Sequence, residues 1–228
     1  MSVQRPPLTA PSASTSPTPS PPARHADPLH PTDLELARLR AVAATPPGPA
    51  GRRIRGDATT QPDLYAAEFV RRLLSQNYQT SREQHLQWVQ SEAAQTREPL
   101  VVGLVPQELR DRLAVYSVTQ TTSGPPPIPS PQEWRQLSAL EAYTTVRIDR
   151  VEEPMAWSNA VAAGRITDPG ITGRQVAATV TQHKVKGGLA TTSSSSVAIT
   201  LNLQGPPTRA TWGFVTAVTY TSVPVTAS

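Results

Sequence analysis

Histidine is the first side chain to consider for acid–base or metal chemistry, and the chain has four histidines and no cysteine. His25 and His30 lie in a Pro-rich N-terminal stretch, His85 lies in a helical pattern, and His183 lies in a strand pattern. None has a Glu or His neighbour at metal-ligand spacing, so each is interpreted as an exposed or hydrogen-bonded histidine. The sequence predicts no metal site and no thiolate chemistry.

Carboxylate and serine patterns give no catalytic arrangement either. Glu152 and Glu153 are adjacent at the end of a predicted strand, where side chains point apart and toward solvent. Asp149 lies opposite the apolar face of the same strand, whereas a catalytic acid would be expected in an apolar pocket. Ser193–Ser196 has no nucleophile-elbow context and is predicted to be a flexible turn. We therefore expect no catalytic and no cofactor-binding residue.

One basic cluster, Arg52, Arg53 and Arg55, stands out and invites a nucleic-acid interpretation. Residues 1–62 hold seven Arg and four acidic residues, a net charge of +3, while residues 63–228 hold fourteen Lys and Arg against thirteen acidic residues, or +1. A nucleic-acid-binding domain normally carries its basic excess on a folded face, so no specific nucleic acid is expected. The cluster is interpreted as a solvated junction, with weak contact to an anionic surface as the alternative.

Aromatic residues could also bind nucleic acid by stacking on bases. Trp212, Phe214 and Tyr220 alternate along a predicted strand and so share one face. Aliphatic side chains share that face, which indicates core and not an exposed stacking platform.

Proline and aromatic residues divide the chain in two. Thirteen of the 25 prolines lie in residues 1–62, and all eleven aromatic residues lie at or beyond Tyr65. Residues 1–62 are therefore predicted to be a disordered tail with a short helix at 33–44, and 63–228 a single domain. Neither an apolar run of about 18 residues nor a signal-peptide core is found in the sequence.

The first part of the domain has helical spacing. Tyr65, Phe69 and Leu73 recur every four residues, which predicts an amphipathic helix after Pro62. A second helix is predicted after Thr80, its predicted N-cap, with Leu86, Val89 and Ala93 inward and Trp88 at the flank. A third, shorter helix is predicted over Pro106–Leu113.

The second part alternates with a period of two, typical of strands. The predicted strands are Ala114–Thr119, Tyr143–Val151, Val176–Lys186, Val197–Gln204 and Trp212–Tyr220, with a turn at Gly187-Gly188 and a stiff Pro-rich loop over Gly124–Pro131. Short connections between the last three predict an antiparallel meander. The fold class is therefore α+β: two to three N-terminal helices on a curved, cone-like antiparallel sheet of about four strands.

This order of elements resembles a nuclear-transport-factor-2-like domain. Within that group it is similar to the extracytoplasmic domain of the bitopic assembly factor of bacterial conjugative type IV secretion systems. The segments that carry the resemblance are Glu68–Tyr78, Leu86, Trp88 and Val89, Val197–Gln204 and Ala210–Tyr220. It extends over residues 63–222. Members of that family have a membrane-spanning helix before this domain, where this chain has a Pro-rich stretch.

The resemblance implies a non-enzymatic assembly or scaffold component of a DNA-transfer apparatus, which binds other channel subunits or a second copy of itself. It implies a location at the cell envelope, whereas the sequence as given indicates the cytoplasm. Two other functions stay open. One is a small isomerase or hydratase with a carboxylate or histidine in a cone-shaped apolar pocket. The other is a structural protein of a phage or mobile element.

Overall fold

The computed structural model describes residues 33–42, 45–49, 51–93 and 127–225. The predicted tail before residue 33, the predicted helix Pro106–Leu113 and the predicted strand Ala114–Thr119 lie outside these residues. Helix α1 spans Asp33–Arg40, within the range where the sequence predicts a short helix. A 3-10 turn, Gly56–Thr59, precedes the domain's first long helix.

Helix α2, Pro62–Leu74, follows the predicted apolar spacing. Pro62 lies in the first turn of the helix. A backbone N–H there has no carbonyl partner within the helix, so the missing N–H of proline costs no hydrogen bond. Tyr65, Phe69 and Leu73 are almost fully buried, because they lie about one turn apart on the side of the helix that meets the sheet. This helix is the central support of the fold.

Helix α3, Arg82–Glu92, follows its prediction only in part. Ser81, and not Thr80, caps it. Val89 is buried as predicted, while Leu86 and Ala93, also predicted to point inward, are partly buried against the core. The residues that this helix buries are His85, Trp88, Val89 and Glu92. The charged side chain of Glu92 and the titratable side chain of His85 therefore lie in the interior. The pattern of apolar residues alone does not predict this.

Two helices of the described chain are missing from the sequence prediction. Helix α4, Pro131–Ala139, begins inside the predicted Pro-rich loop, because Ser130 and Glu133 form a capping box. Helix α5, Met155–Ala162, begins after Pro154. Both are short, and each buries one tryptophan, so neither produces a clear apolar period.

The four strands form one antiparallel sheet in the order β1-β2-β3-β4. They are β1, Tyr143–Glu152; β2, Ile171–Lys186; β3, Leu189–Gln204; and β4, Gly213–Pro224. Helix α2 contacts β1, β2 and β3, so the helices cover one face of a curled sheet. The predicted α+β class is confirmed.

Strands β2 and β3 form a hairpin longer than either neighbour. Its turn is Gly187-Gly188, as predicted, and both glycines have positive φ, which suits a two-residue hairpin turn. The prediction of a flexible turn at Ser193–Ser196 is wrong, because these serines lie within β3 and pair with β2. Serine has low strand propensity, and here the backbone ladder and hydroxyl pairs outweigh it: Thr181 Oγ1 lies 3.1 Å from Ser194 Oγ.

Strand β4 corrects the prediction that three aromatic residues share one face. The pairing of β3 with β4 shifts between Asn202 and Gln204, and Phe214 has a φ of +51°. Such a bulge rotates the backbone and ends the alternation. Trp212 and Val215 are consequently buried, while Phe214 is only half-buried and meets arginines.

The core lies between α2 and the covered face of the sheet. Its members in the sheet are Val146, Ile148, Val176, Ala178, Val197, Ile199, Leu201, Leu203, Val215 and Val218. In the described part of the chain, the helices all fall short of the length and hydropathy that a membrane span requires.

Candidate functional site

A polar cavity of about 180 Å³, the sheet cavity, lies between the end of α2 and the sheet. The polar side chains that line it include those of Tyr78, Gln182, Ser193, Ser195, Tyr220 and Ser222. They converge because the predicted period of two places alternate residues of β2, β3 and β4 on the same face. Among the described residues that line the cavity, none is a carboxylate or an imidazole.

The two tyrosines of the sheet cavity stay protonated at neutral pH. Burial raises the pKa of Tyr78 to about 12, and hydrogen bonds with Gln182 and Thr144 lower it only in part. Burial also raises the pKa of Tyr220. The cavity therefore offers hydroxyl and amide groups, which suit hydrogen bonding to a neutral polar group.

His85 lies buried between helices. Its Nε2 atom is 3.0 Å from the carbonyl oxygen of Leu73, and its ring lies between those of Trp88 and Trp134, at 5.8 and 6.1 Å. Burial lowers the pKa of His85, although the hydrogen bond to Leu73 counteracts this. The imidazole links α3 to the end of α2.

His183 lies on the other face of the sheet. Its ring stacks on Tyr143 at 4.4 Å, and its Nε2 atom is 3.1 Å from Thr145 Oγ1. Because neighbouring Gln182 lines the sheet cavity, strand alternation directs His183 away from it. The structure therefore does not bring His85 and His183 together.

The acidic residues considered from the sequence take part in surface contacts. Asp149 accepts hydrogen bonds from Arg147 Nε and Thr179 Oγ1, both at 2.7 Å. Glu152 pairs with Arg150. Glu153 is exposed, and its carboxylate accepts a 2.6 Å hydrogen bond from Ser158 Oγ and a 3.2 Å hydrogen bond from Arg174 Nη1. None of these carboxylates lines the sheet cavity.

Sequence reasoning missed a buried ion pair between α2 and β2. Arg174, 5% exposed, pairs with Asp63 in the first turn of α2. Its Nη1 atom also donates to Thr172 Oγ1 at 2.6 Å and to the carbonyl of Gly173 at 2.7 Å. Burial of an arginine is tolerable only with such pairing. No local signal identifies this pair, since its partners are 111 residues apart.

Sequence reasoning also missed the role of Glu92. Its carboxylate is 1% exposed and accepts hydrogen bonds from Tyr65 Oη at 2.6 Å and from the backbone N–H of Ile54 at 2.7 Å. Burial, reinforced by the negative charge of Glu92, raises the pKa of Tyr65 well above its usual range. Arg53 Nε lies 3.9 Å from the same carboxylate. Glu92 thus ties the basic segment to the helical core.

The basic segment and α3 enclose an open groove of about 470 Å³, here called the arginine groove. Its lining is Gly51, Arg52, Arg53, Arg55, Gln84, Gln87, Trp88 and Ser91. The last four lie on one helical face, because they are spaced by three, one and three residues. The structure therefore places the predicted basic cluster along a specific polar face of α3.

Phe214 lies beside this groove and holds two arginines. The guanidinium carbons of Arg53 and Arg209 lie 4.8 and 4.5 Å from its ring centroid, within the range of cation–π contact. The prediction that Phe214 lies in the core is therefore wrong, since the bulge in β4 directs its ring toward two arginines near the surface.

In the described part of the chain, no group of three or more His, Cys, Asp or Glu side chains is arranged to hold a metal ion. Comparison with protein-family models, with curated proteins and with solved structures finds no match to this chain.

Proposed function

We propose that this protein is an assembly component that acts through protein–protein contacts, of the kind that the sequence resemblance to conjugative type IV secretion implies. The observation that carries the proposal is the distal end of the β2–β3 hairpin, Lys184–Ser193, here called the hairpin tip. On its β2 side, Val185 N–H donates to the carbonyl of Leu140 at 2.8 Å, so the edge that matters is that of β3. Strand β1 pairs with β2 no farther than His183, and β4 pairs with β3 no farther than Ser195. The hairpin tip consequently extends beyond both neighbouring strands.

The outer edge of β3 at the hairpin tip has unused backbone groups. The last described hydrogen bond on that side joins the N–H of Val225 to the carbonyl of Ser194 at 2.9 Å. Backbone groups alternate in direction along a strand, so Thr192 and Ala190 direct theirs to the same side. Among the described residues these groups have no strand partner. An edge of this kind is a template for pairing with another chain.

The side chains at this edge do not prevent pairing. Edge strands usually avoid association through charge, proline or a bulge, and Leu189–Ser193 has none of these. Thr191 and Thr192 have high strand propensity, and Leu189 is 73% exposed. These features favour association through strand addition.

The isomerase or hydratase alternative has less support. That chemistry requires a base in the pocket, and the described lining of the sheet cavity consists of hydroxyl, amide and apolar groups. A structural role in a phage or mobile element would use the same hairpin edge, so only the partner distinguishes it from secretion.

A crosslinking experiment tests the proposal. A photoreactive amino acid at position 191 of the full chain is irradiated alone and with the co-expressed products of neighbouring genes. We expect a crosslink either to a second copy or to one of these products. Thr192→Pro should abolish it, because proline removes the edge N–H while an outward-facing edge position tolerates it. Thr192→Val is the matched control, because it keeps the edge N–H at the same position, and it should retain the crosslink.

The opposite result is equally clear. A chain that is monomeric by light scattering at high concentration and yields no crosslink with any neighbouring product contradicts the proposal. Circular dichroism of Thr192→Pro establishes that its loss of crosslinking does not reflect unfolding.

A further inference from the structure

We infer that the arginine groove binds an extended acidic peptide segment of a partner protein. This inference rests on the proposed function, because it names the chemistry of one partner contact. It concerns a different surface, since the groove lies between Gly51–Arg55 and α3, and the hairpin tip belongs to β2 and β3.

The backbone of the basic segment is fixed before any ligand arrives. Ile54 N–H donates to buried Glu92, and Arg72 Nη1 donates to the carbonyl of Arg52 at 3.0 Å. Holding the segment at two points reduces the ordering entropy that binding would otherwise cost. The arginines are therefore presented in a fixed order along the groove.

Two of the three arginines have their charge available. Arg52 and Arg55 are exposed, and no described acidic side chain forms an ion pair with either. Arg53 is the exception, at 3.9 Å from Glu92 and over the Phe214 ring. Three arginines against one glutamate give this site a local charge of +2, whereas residues 63–228 carry only +1 in total.

The neutral part of the lining suits a peptide backbone. Gln84 and Gln87 are exposed and each offers an amide donor and acceptor, as the peptide group itself does. The Trp88 indole N–H is buried and has no acceptor in the described chain. An unpaired buried N–H is unfavourable, so a carbonyl that reached it would be stabilised.

The exposure of the aromatic rings near the groove distinguishes a peptide ligand from a nucleic-acid ligand. Single-stranded nucleic acid binds through bases stacked on exposed aromatic rings. Trp88 is only 3% exposed, and Phe214 is already engaged by Arg53 and Arg209. The groove thus provides guanidinium groups, whose fork matches a carboxylate, without a stacking surface.

The length of the groove limits the ligand. From Gln84 to Ser91 the helix rises about 10 Å, at 1.5 Å per residue. An extended peptide covers that distance with about three residues, at roughly 3.3 Å each. We expect acidic residues at the first and third positions of this three-residue stretch, so that one carboxylate meets Arg52 and the other meets Arg55.

Fluorescence anisotropy with the full chain at low salt tests the inference. The probe is a labelled Glu-Ser-Glu-Ser-Glu peptide, and the reference is the same peptide with Gln in place of Glu. We expect the acidic peptide alone to bind, and Arg52→Gln with Arg55→Gln to weaken binding by about tenfold or more. The control, Arg135→Gln with Arg165→Gln, removes two other exposed arginines and should change binding by less than about twofold.

Three results would overturn the inference. Equal affinity for the two peptides would exclude recognition of carboxylates, and equal losses in the two double variants would indicate only a general charge effect. Tighter binding of an oligothymidylate, or of phosphatidylglycerol vesicles, that depends on Arg52 and Arg55 would assign the groove to phosphate instead. Any of these results leaves crosslinking at the hairpin tip unchanged, so failure here is distinguishable from failure of the proposed function.

Discussion

The two ends of the β2–β3 hairpin share one backbone geometry and differ in almost everything else. Near the helices, Val176 pairs with Ile199 and both side chains are fully buried. At the other end, Lys186 pairs with Leu189, which is 73% exposed. The strands are continuous between these points. The difference arises from what covers them, because α2 lies over only one end.

This comparison shows that a ladder of backbone hydrogen bonds can continue beyond the core that nucleates it. Where the helices no longer cover β3, the aliphatic series that begins at Val197 gives way to Ser193–Ser196. Exposed hydroxyl groups at these positions do not destabilise the sheet, because they are solvated, and they still form side-chain pairs across the strands. We infer that the covered end supplies stability and the uncovered end supplies contact surface.

The strongest way to break the covered end is to remove its buried charge partner. Arg174→Ala should lower the free energy of unfolding by about 3–5 kcal/mol, because it takes away the guanidinium that neutralises buried Asp63. Arg150→Ala, in the exposed pair with Glu152, should cost less than about 1 kcal/mol. Urea unfolding measures both. Similar losses in the two variants would contradict the assignment of Arg174 to the stabilising core.

The same strand offers a matched pair of leucines. Leu201→Ala should lower the free energy of unfolding by about 2–5 kcal/mol, since it leaves a cavity in a fully buried position. Leu189→Ala should change it by less than about 0.5 kcal/mol. Thermal or urea denaturation distinguishes them, and a large loss at Leu189 would mean that the hairpin tip is covered in solution.

The covered end should also respond to acid through His85. Burial lowers the pKa of His85 below its ordinary 6.5, so below pH 6.5 the unfolded chain binds a proton that the folded chain excludes. The stability that depends on the neutral imidazole of His85 is fully present above pH 6.5, and it is lost as the pH falls through the folded-state pKa. We expect the free energy of unfolding to be lower at pH 5 than at pH 7, and this difference to be smaller in His85→Gln than in the unsubstituted chain. His183→Gln is the control, and an unchanged pH dependence in His85→Gln would contradict the role assigned to burial.

The smallest effect is expected at the hairpin tip. Deleting Val185-Lys186 and Leu189-Ala190 removes two residues from each strand and keeps Lys184 opposite Thr191. The deleted residues add little to the core, but the deletion removes the hydrogen bond from Val185 N–H to the Leu140 carbonyl, so the free energy of unfolding should fall by only about 1 kcal/mol. The same variant should lose association. A stable variant that still associates would place the contact elsewhere.

Much of this fold follows from local patterns. The spacing of Tyr65, Phe69 and Leu73 predicts α2, and strict alternation over Val197–Gln204 predicts the inner half of β3. Helices α4 and α5 escape this reasoning, because a helix with one buried tryptophan has no apolar period to detect. The serine-rich half of β3 escapes it too, since its strand structure comes from pairing with β2.

The candidate sites are less predictable than the fold. Arg52, Arg53 and Arg55 are visible in the sequence as a cluster, but their arrangement depends on Glu92, which lies 38 residues from Ile54. Helical spacing places Glu92 seven residues after His85 on the same face. Nothing local indicates that this face is buried, since the apolar count favours a different one.

By itself the sequence determined the α+β class, the meander of strands and the existence of a basic cluster. These depend on composition and on the periods of single elements, which are local properties. Tertiary structure decided which charges are buried, which face of α3 meets the arginines, and where the sheet is left uncovered. Those features depend on contacts between distant segments, whose energies appear only when the elements are packed together.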